Sequence, residues 1–258
     1  MASLDELRGE RIQKLTALRA AGHDPYPITT NRELTLEAVT SRFATLTKRR
    51  KPLTIAGRVM GLRHQGALCF VDLDDGTGQL QTLIKQNVVG DESFNLFVET
   101  IDRGDFITAT GSVGLTKRQE RTLFAEKWQP LAKALRPLPD KWRGLTDIEE
   151  RFRRRYLDSL MDETIKNRFV TRATIITALR EALNKADYLE VETPILQPLY
   201  GGATAVPFKT HHEALDLPLY LRISPELYLK RMLVGGFSRV YELSRCFRNE
   251  GIDATHNP

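Results

Sequence analysis

The sequence predicts an α+β protein built from more than one domain, and three observations lead there. At 258 residues the chain exceeds the roughly 100–200 residues of a typical single domain. After the basic stretch Lys48-Arg49-Arg50-Lys51 the pattern changes from helical spacing to short β-rich runs. A second change follows the proline-punctuated connector that runs from Ala134 to Trp142, beyond which an amphipathic helix and further strands alternate. The expected organisation is a helical extension over 1–52, a small barrel over 53–134, a linker over 135–150 and a second domain over 151–258.

Composition removes whole classes. No run of about 18 apolar residues is present for a membrane helix, and no charged-then-apolar signal segment opens the chain. The expected setting is the cytoplasm. Cys69 and Cys246 lie far apart and lack the paired spacing of a zinc site, so both are expected as buried small hydrophobes. The formal net charge of +5 is concentrated early, with ten basic against six acidic residues in the first 52. That balance permits a polyanionic partner without identifying one.

The first helix is signalled by Ser3 as cap with Glu6 three residues on, leucines at 4, 7, 15 and 18 plus Ile12, then Gly22, Pro25 and Pro27. Arg8 and Arg11 fall inside its apolar sector, which makes a poor core face. A wet docking surface, a nucleic-acid contact and a merely solvated helix all remain open. Strands are expected over 53–60, 67–73 and 79–84, a helix over 92–101, then strands over 105–113 and 122–128. Three strands, a helix and two more strands suit the five-stranded OB-fold, although a generic small barrel has the same count.

Period-2 geometry places Val71 and Leu73 on one face of their strand and Phe70 on the other. Gln79 and Gln81 lie opposite Leu80 and Ile84. An outward aromatic beside amide side chains can stack an unpaired base and read its edge; a half-buried Phe under a loop is the alternative.

Beyond the connector, apolar residues at 165, 169, 173, 176, 179 and 183 specify an amphipathic helix over 162–184. Leu189 and Val191 alternate with Glu190 and Glu192 in a strand that Pro194 stops. No glycine-rich loop ending in Lys-Ser/Thr and no dinucleotide fingerprint occurs, and His211-His212 lacks a third ligand at metal spacing. Ser224-Pro225-Glu226 reads as a helix start, where an acid either complements the helix dipole or holds a ligand ammonium. The run from Phe237 to Glu250 reads as one long strand with Glu242, Cys246, Arg248 and Glu250 on one face. An arginine between carboxylates there is either a nucleotide floor or a structural ion-pair ladder.

At this point the residues carry a resemblance. Arg-Cys-Phe-Arg-Asn-Glu-Gly at 245–251, with His256-Asn257-Pro258 following, looks like motif 2 of the class II aminoacyl-tRNA synthetases, and Tyr-Leu-Glu-Val-Glu-Thr-Pro at 188–194 resembles motif 1. The connector from Ala134 to Lys141, the segment Thr210–Asp216 and the helix start Ser224–Arg231 are together similar to the lysyl branch of that family in its bacterial form. The likeness runs from the first helix to Pro258.

The resemblance implies an anticodon-binding OB barrel followed by the first part of an antiparallel catalytic domain that makes lysyl-adenylate from lysine and ATP, with Mg2+ bridging the phosphates, and charges tRNA(Lys). Arg248 would be the catalytic contact to the α-phosphate, Glu250 the partner of the adenine amino group, and His256 and Asn257 would lie along the triphosphate. Gly201, Gly202 and Glu226 would hold the lysine α-ammonium. Phe70, Gln81 and Glu120 would stack on and read anticodon uridines, with Arg63 on the backbone where relatives commonly have two adjacent arginines. Pro194 would lie at a homodimer interface, and no metal ligand is assigned. The family's adenine-stacking phenylalanine, motif 3 and later acids would follow Pro258, so the 258 residues are expected to be a truncated gene product, inactive as written. Two rivals are an aspartyl- or asparaginyl-type relative, against which Glu226 tells because glutamine is expected there, and a non-catalytic tRNA-binding module.

Overall fold

The computed structural model describes residues 3–49, 51–139 and 144–253. His256 and Asn257 lie outside these residues, as do Arg50 of the basic run and Asp140, Lys141 and Trp142 of the connector. The chain divides into two compact units, residues 1–161 and 162–258.

The first unit opens with α1 (Leu4–Ala20), α2 (Leu36–Ser41) and α3 (Phe43–Leu46). Strands β1 (Leu53–Gln65), β2 (Leu68–Asp74) and β3 (Gln79–Lys85) follow, then α4 (Gln86–Val89), α5 (Asp91–Thr100), β4 (Phe106–Leu115) and β5 (Arg121–Ala132). Two short helices, α6 (Ile148–Arg153) and α7 (Arg155–Met161), end the unit. The strands close into a barrel in the order β1-β2-β3-β5-β4, with β3 and β5 parallel and the other pairs antiparallel. That is the OB-type barrel expected from the strand count.

Closure requires β1 to serve two neighbours, β4 with its first half and β2 with its second. A bulge between Val59 and Gly61 bends it between the two roles. Val59, Val71, Leu73, Ile84, Ile107 and Leu123 fill the interior, as their alternation requires. Helix α5 adds Phe94 and Phe97, and Phe97 meets Trp128 edge-on with ring centres 4.9 Å apart. Asp75 in the β2–β3 turn accepts from the amides of Leu36 (2.9 Å) and Thr77 (3.0 Å), which ties α2 to the barrel rim.

Helix α1 forms with the expected Ser3–Glu6 capping box, but it is neither merely solvated nor wet on its inner face. Leu18 is fully buried against the barrel core, and the Arg11 guanidinium donates to the carbonyls of Ala134 (2.8 Å), Arg103 (3.1 Å) and Arg136 (3.2 Å). A guanidinium carries five donors, so a ring of backbone acceptors can take it out of water where helical periodicity alone cannot foresee it. Beside it the Lys133 ammonium, fully enclosed, reaches Asp102 (2.6 Å), Asp105 (2.7 Å) and the Thr100 carbonyl (2.6 Å). Lys14 of α1 completes the cluster on Asp102 at 2.6 Å.

The second unit holds α8 (Glu163–Lys185), β6 (Leu189–Glu190), β7 (Leu196–Gln197), β8 (Lys209–His212), β9 (Leu217–Leu221), α9 (Glu226–Val234) and β10 (Val240–Tyr241). An antiparallel sheet runs β7-β9-β8, and β10 pairs with β6 in parallel. The amphipathic helix lies where its spacing predicts. Its apolar stripe is nonetheless largely exposed, with Ile165 buried and Phe169 at 55% of full exposure.

Two expectations are corrected here. The run from Phe237 to Glu250 is not one strand: only Val240 and Tyr241 are in a ladder, and residues 242–249 make isolated hydrogen bonds instead. β-rich composition specifies an extended backbone, but a strand also needs a continuous neighbour, and the edge beside 242–249 has none among the described residues. Cys69 is buried as expected, whereas Cys246 is exposed on that same segment.

Candidate functional site

On the barrel the register assembles a face. Arg63 of β1 is opposite Phe70 of β2, Phe70 opposite Leu83 of β3, and Leu83 beside Phe124 of β5. The next row runs Gly61, Asp72, Gln81 and Thr122 across the same strands. Directly paired residues share a face, and so do residues two apart. One row is therefore apolar with an arginine at its end, and the neighbouring row is polar.

The polar row is held tightly. Gly61 lies so close to the Asp72 carboxylate that a Cβ there would make that side chain shift. Arg63 donates to Asp72 at 3.2 Å. The buried Thr122 hydroxyl donates to the Gln81 side-chain oxygen at 3.0 Å. A pocket of about 230 Å3 opens beside this row, lined by Thr40, Asp72, Gln79, Leu80, Gln81, Glu120 and Arg121. Arg121 is steadied at its rim by the Thr40 carbonyl (3.1 Å) and by the Phe43 ring, 5.3 Å away.

Four residues singled out from the sequence thus come together: Arg63 and Phe70 on one row, Gln81 on the next, and Glu120 at the pocket edge. Asp72, Arg121 and Thr122 belong to the same place and were missed. Asp72 was within reach, since it stands two residues from Phe70 on the same strand. Thr122 was not, because the parallel β3–β5 pairing that sets it beside Gln81 joins residues 41 positions apart.

In the second unit the loop after β7 is the organising feature. Gly202 has φ +85°, and a Cβ on it would come within 3.0 Å of the Glu226 Cβ and 3.1 Å of the Ser224 Oγ. Gly201 is pressed against Leu227 in the same way. The Ser224 hydroxyl accepts from the Glu226 amide at 3.2 Å, but the residue at the N-cap of α9 is Pro225 rather than the expected serine, and the Glu226 carboxylate binds the Lys230 ammonium one turn on. Farther along the loop, Val206 accepts from the Asn249 amide (2.8 Å), and its own amide donates to the Glu250 carboxylate at 3.3 Å. Gly201, Gly202, Glu226 and Glu250 therefore meet around one loop. Arg248 is exposed and makes no hydrogen bond or ion pair with any described residue. Pro194 is exposed, with its carbonyl accepting from the Gln197 side chain at 3.0 Å.

Arg222 is the residue missed in this unit, and Glu242, read from the sequence as part of an arginine–carboxylate face with Arg248, pairs with it instead. Arg222 lies between Leu221 and Ile223 and reads as the wet side of a strand, yet it is buried, with Glu242, Thr193 and the Arg245 carbonyl around its guanidinium. Among the described residues no group of three His, Cys, Asp or Glu is placed to hold a metal ion, and His211 instead pairs with Asp216 at 3.1 Å.

Comparison with known proteins shows what the chain is similar to. Residues 147–258 match the model for class II tRNA synthetases of the D, K and N type, and residues 53–131 match the OB-fold nucleic acid binding domain. Lysine–tRNA ligases from Roseiflexus sp. (strain RS-1) and Pelotomaculum thermopropionicum are each 49% identical over 99% of this chain, covering 52% and 50% of their own lengths. The Clostridium tetani enzyme is 46% identical over 98% of the chain. Over nearly its whole length the chain is similar to class II lysyl-tRNA synthetases. It spans about half the length of the curated relatives it matches. No helix among the described residues is long and apolar enough to cross a membrane.

Proposed function

We propose that this chain is the anticodon-reading barrel and the first part of the adenylation domain of a cytoplasmic lysine–tRNA ligase. The observation that carries the reading is the convergence of Arg63, Phe70 and Gln81 on one barrel face beside the pocket that Glu120 lines. Phe70 stacks an unpaired anticodon uridine, Gln81 and Glu120 read edges, and Arg63 meets the backbone, a role that its partial engagement by Asp72 leaves open.

In the reaction we assign, the lysine carboxylate attacks the α-phosphorus of ATP and pyrophosphate leaves. A terminal ribose hydroxyl of tRNA(Lys) then attacks the carbonyl carbon of the adenylate and AMP leaves. Arg248 supports this role by being free to meet the α-phosphate and the carboxylate, where a guanidinium stabilises charge that develops only in the transition state. Glu250, already held by the Val206 amide, accepts from the adenine amine. Glu226 with Gly201 and Gly202 takes the lysine α-ammonium. Its carboxylate already binds one ammonium group, that of Lys230, which the substrate would replace. Mg2+ neutralises the phosphates as part of the nucleotide substrate; the described residues supply no ligand set for it, and no step is routed through it. The exposed stripe of α8 and the exposed Pro194 support a homodimer through this unit.

The test is binding of the anticodon stem-loop of tRNA(Lys) to the whole chain at about 150 mM salt, near physiological ionic strength. Phe70→Ala should weaken binding by about tenfold, since one base stacked on an aromatic contributes about 1–3 kcal/mol. Neutralising Lys48, Arg49 and Lys51 should instead flatten the salt dependence for any RNA. Equal affinity for lysine-type and scrambled stem-loops would refute the anticodon reading.

A further inference from the structure

Thr122 stands at a junction that neither the family likeness nor the sequence pattern assigns. Its side chain is fully buried, and its hydroxyl lies 3.0 Å from the Gln81 Oε1 and 3.2 Å from the Glu120 carbonyl. Glu120 closes the β4–β5 turn, where Gln119 takes φ +63° and the Glu120 carbonyl also accepts from the Thr116 amide at 3.0 Å. The single hydroxyl proton goes to the nearer acceptor, the Gln81 Oε1, and the Glu120 carbonyl lies beside it as a second, longer acceptor, so the hydroxyl sits between the two residues that border the base pocket.

We propose that Thr122 is the positioning residue that sets base specificity in this pocket. The inference rests on the anticodon reading above and adds what decides the sign of recognition. Gln81 is itself buried, so its amide cannot turn freely in water. A side-chain amide has an acceptor end and a donor end, and which way it faces is fixed by its hydrogen-bond network. The Thr122 hydroxyl occupies the acceptor end. The NH2 group is left to face the pocket, where it donates to a keto oxygen and cannot accept from an exocyclic amine. Uracil presents a keto group where cytosine presents an amine, so the amide favours the first and leaves the second with opposed donors. Stacking on Phe70, by contrast, is the same for both bases.

The experiment measures binding of the whole chain to the lysine anticodon stem-loop and to three versions with a single U→C change at each anticodon position. For the native chain the position read by Gln81 should show about a tenfold preference for U. In Thr122→Val, which keeps the shape and removes the donor, that ratio should fall about five- to tenfold toward unity, while affinity for the unmodified loop falls far less. Thr122→Ser should restore the ratio. Gln81→Glu keeps an acceptor for Thr122 and turns an acceptor to the pocket, so its preference should move toward C even if Thr122→Val fails to fold. An unchanged ratio in Thr122→Val, or a preserved U preference in Gln81→Glu, overturns the assignment while leaving the anticodon reading intact. A native chain that binds every loop equally overturns both, whereas about tenfold weaker binding of every loop in Phe70→Ala with retained discrimination in Thr122→Ser supports both.

Discussion

Arg222 and Glu242 form an ion pair with only 4% and 5% of their side chains exposed, and the pair ties the end of β9 to the segment that carries Arg248. The Arg222 Nε donates to the Arg245 carbonyl at 2.9 Å, and its own carbonyl accepts from the Phe247 amide at 3.0 Å. Thr193, next to Pro194, donates its hydroxyl to the other Glu242 oxygen at 2.7 Å. One arginine thus joins the two conserved-type strings recognised in the sequence and substitutes for the ladder that residues 242–249 lack.

Removing either member should be costly because the survivor is left as a buried, uncompensated charge. Glu242→Ala and Arg222→Ala are each expected to destabilise the second unit by about 3–5 kcal/mol, with the double substitution costing much less than the sum. Amide hydrogen exchange at Phe247, whose N–H donates to the Arg222 carbonyl, reads this directly. Unchanged protection in the single variants would show that the segment is held by something else.

The cluster around Lys133 predicts a dependence on acid. Burial pushes the Asp102 carboxyl up, but hydrogen bonds from the Lys133 and Lys14 ammonium groups outweigh it and hold the group below its ordinary value. A depressed folded value means a contribution that is complete above the unfolded value, about pH 4, and that disappears as pH falls through the folded one. Thermal melts of the native chain should therefore lose stability below about pH 4 more steeply than those of Asp102→Asn. Lys133→Met, which strands Asp105 in the interior, should destabilise the barrel by about 3–5 kcal/mol at neutral pH.

Cysteine reactivity separates the two units. Burial pushes the Cys69 thiol up to about 11, so it stays protonated and shielded at pH 8, while Cys246 is exposed. A thiol reagent at pH 8 should modify Cys246 rapidly in the folded chain and reach Cys69 only on denaturation. Fast modification of both would mean that the barrel opens readily.

The exposed state of Arg248 bears on activity. A polypeptide of these 258 residues is expected to give no lysine-dependent ATP–pyrophosphate exchange above an Arg248→Ala control. Transition-state donors work when their orientation is set beforehand, and loss of one preorganised donor costs about 10²–10³ in rate. Arg248 has no described neighbour to set it. Exchange well above the control would mean that this segment forms a working site by itself.

Local pattern carried a large part of this protein. Alternation placed the five barrel strands and put Phe70 opposite Val71 and Leu73, since side-chain direction along a strand depends only on parity. The Ser3 cap and the helix at 163–185 were equally readable, because capping and helical periodicity act within a few residues. The motif strings carried the resemblance for the same reason: they are contiguous. What periodicity could not reveal was decided by partners far off in the chain. Arg11 looked misplaced in an apolar sector until three carbonyls enclosed it, and Arg222 looked wet until Glu242 reached it. Thr122 was an ordinary strand residue until the parallel pairing set its hydroxyl on Gln81. The failed strand at 242–249 follows the same logic, since β-propensity belongs to a residue but a ladder belongs to a pair. Sequence by itself determined which way side chains point along each element; tertiary structure alone decided which buried polar group meets which, because burying such a group is tolerated only when a partner arrives to satisfy it.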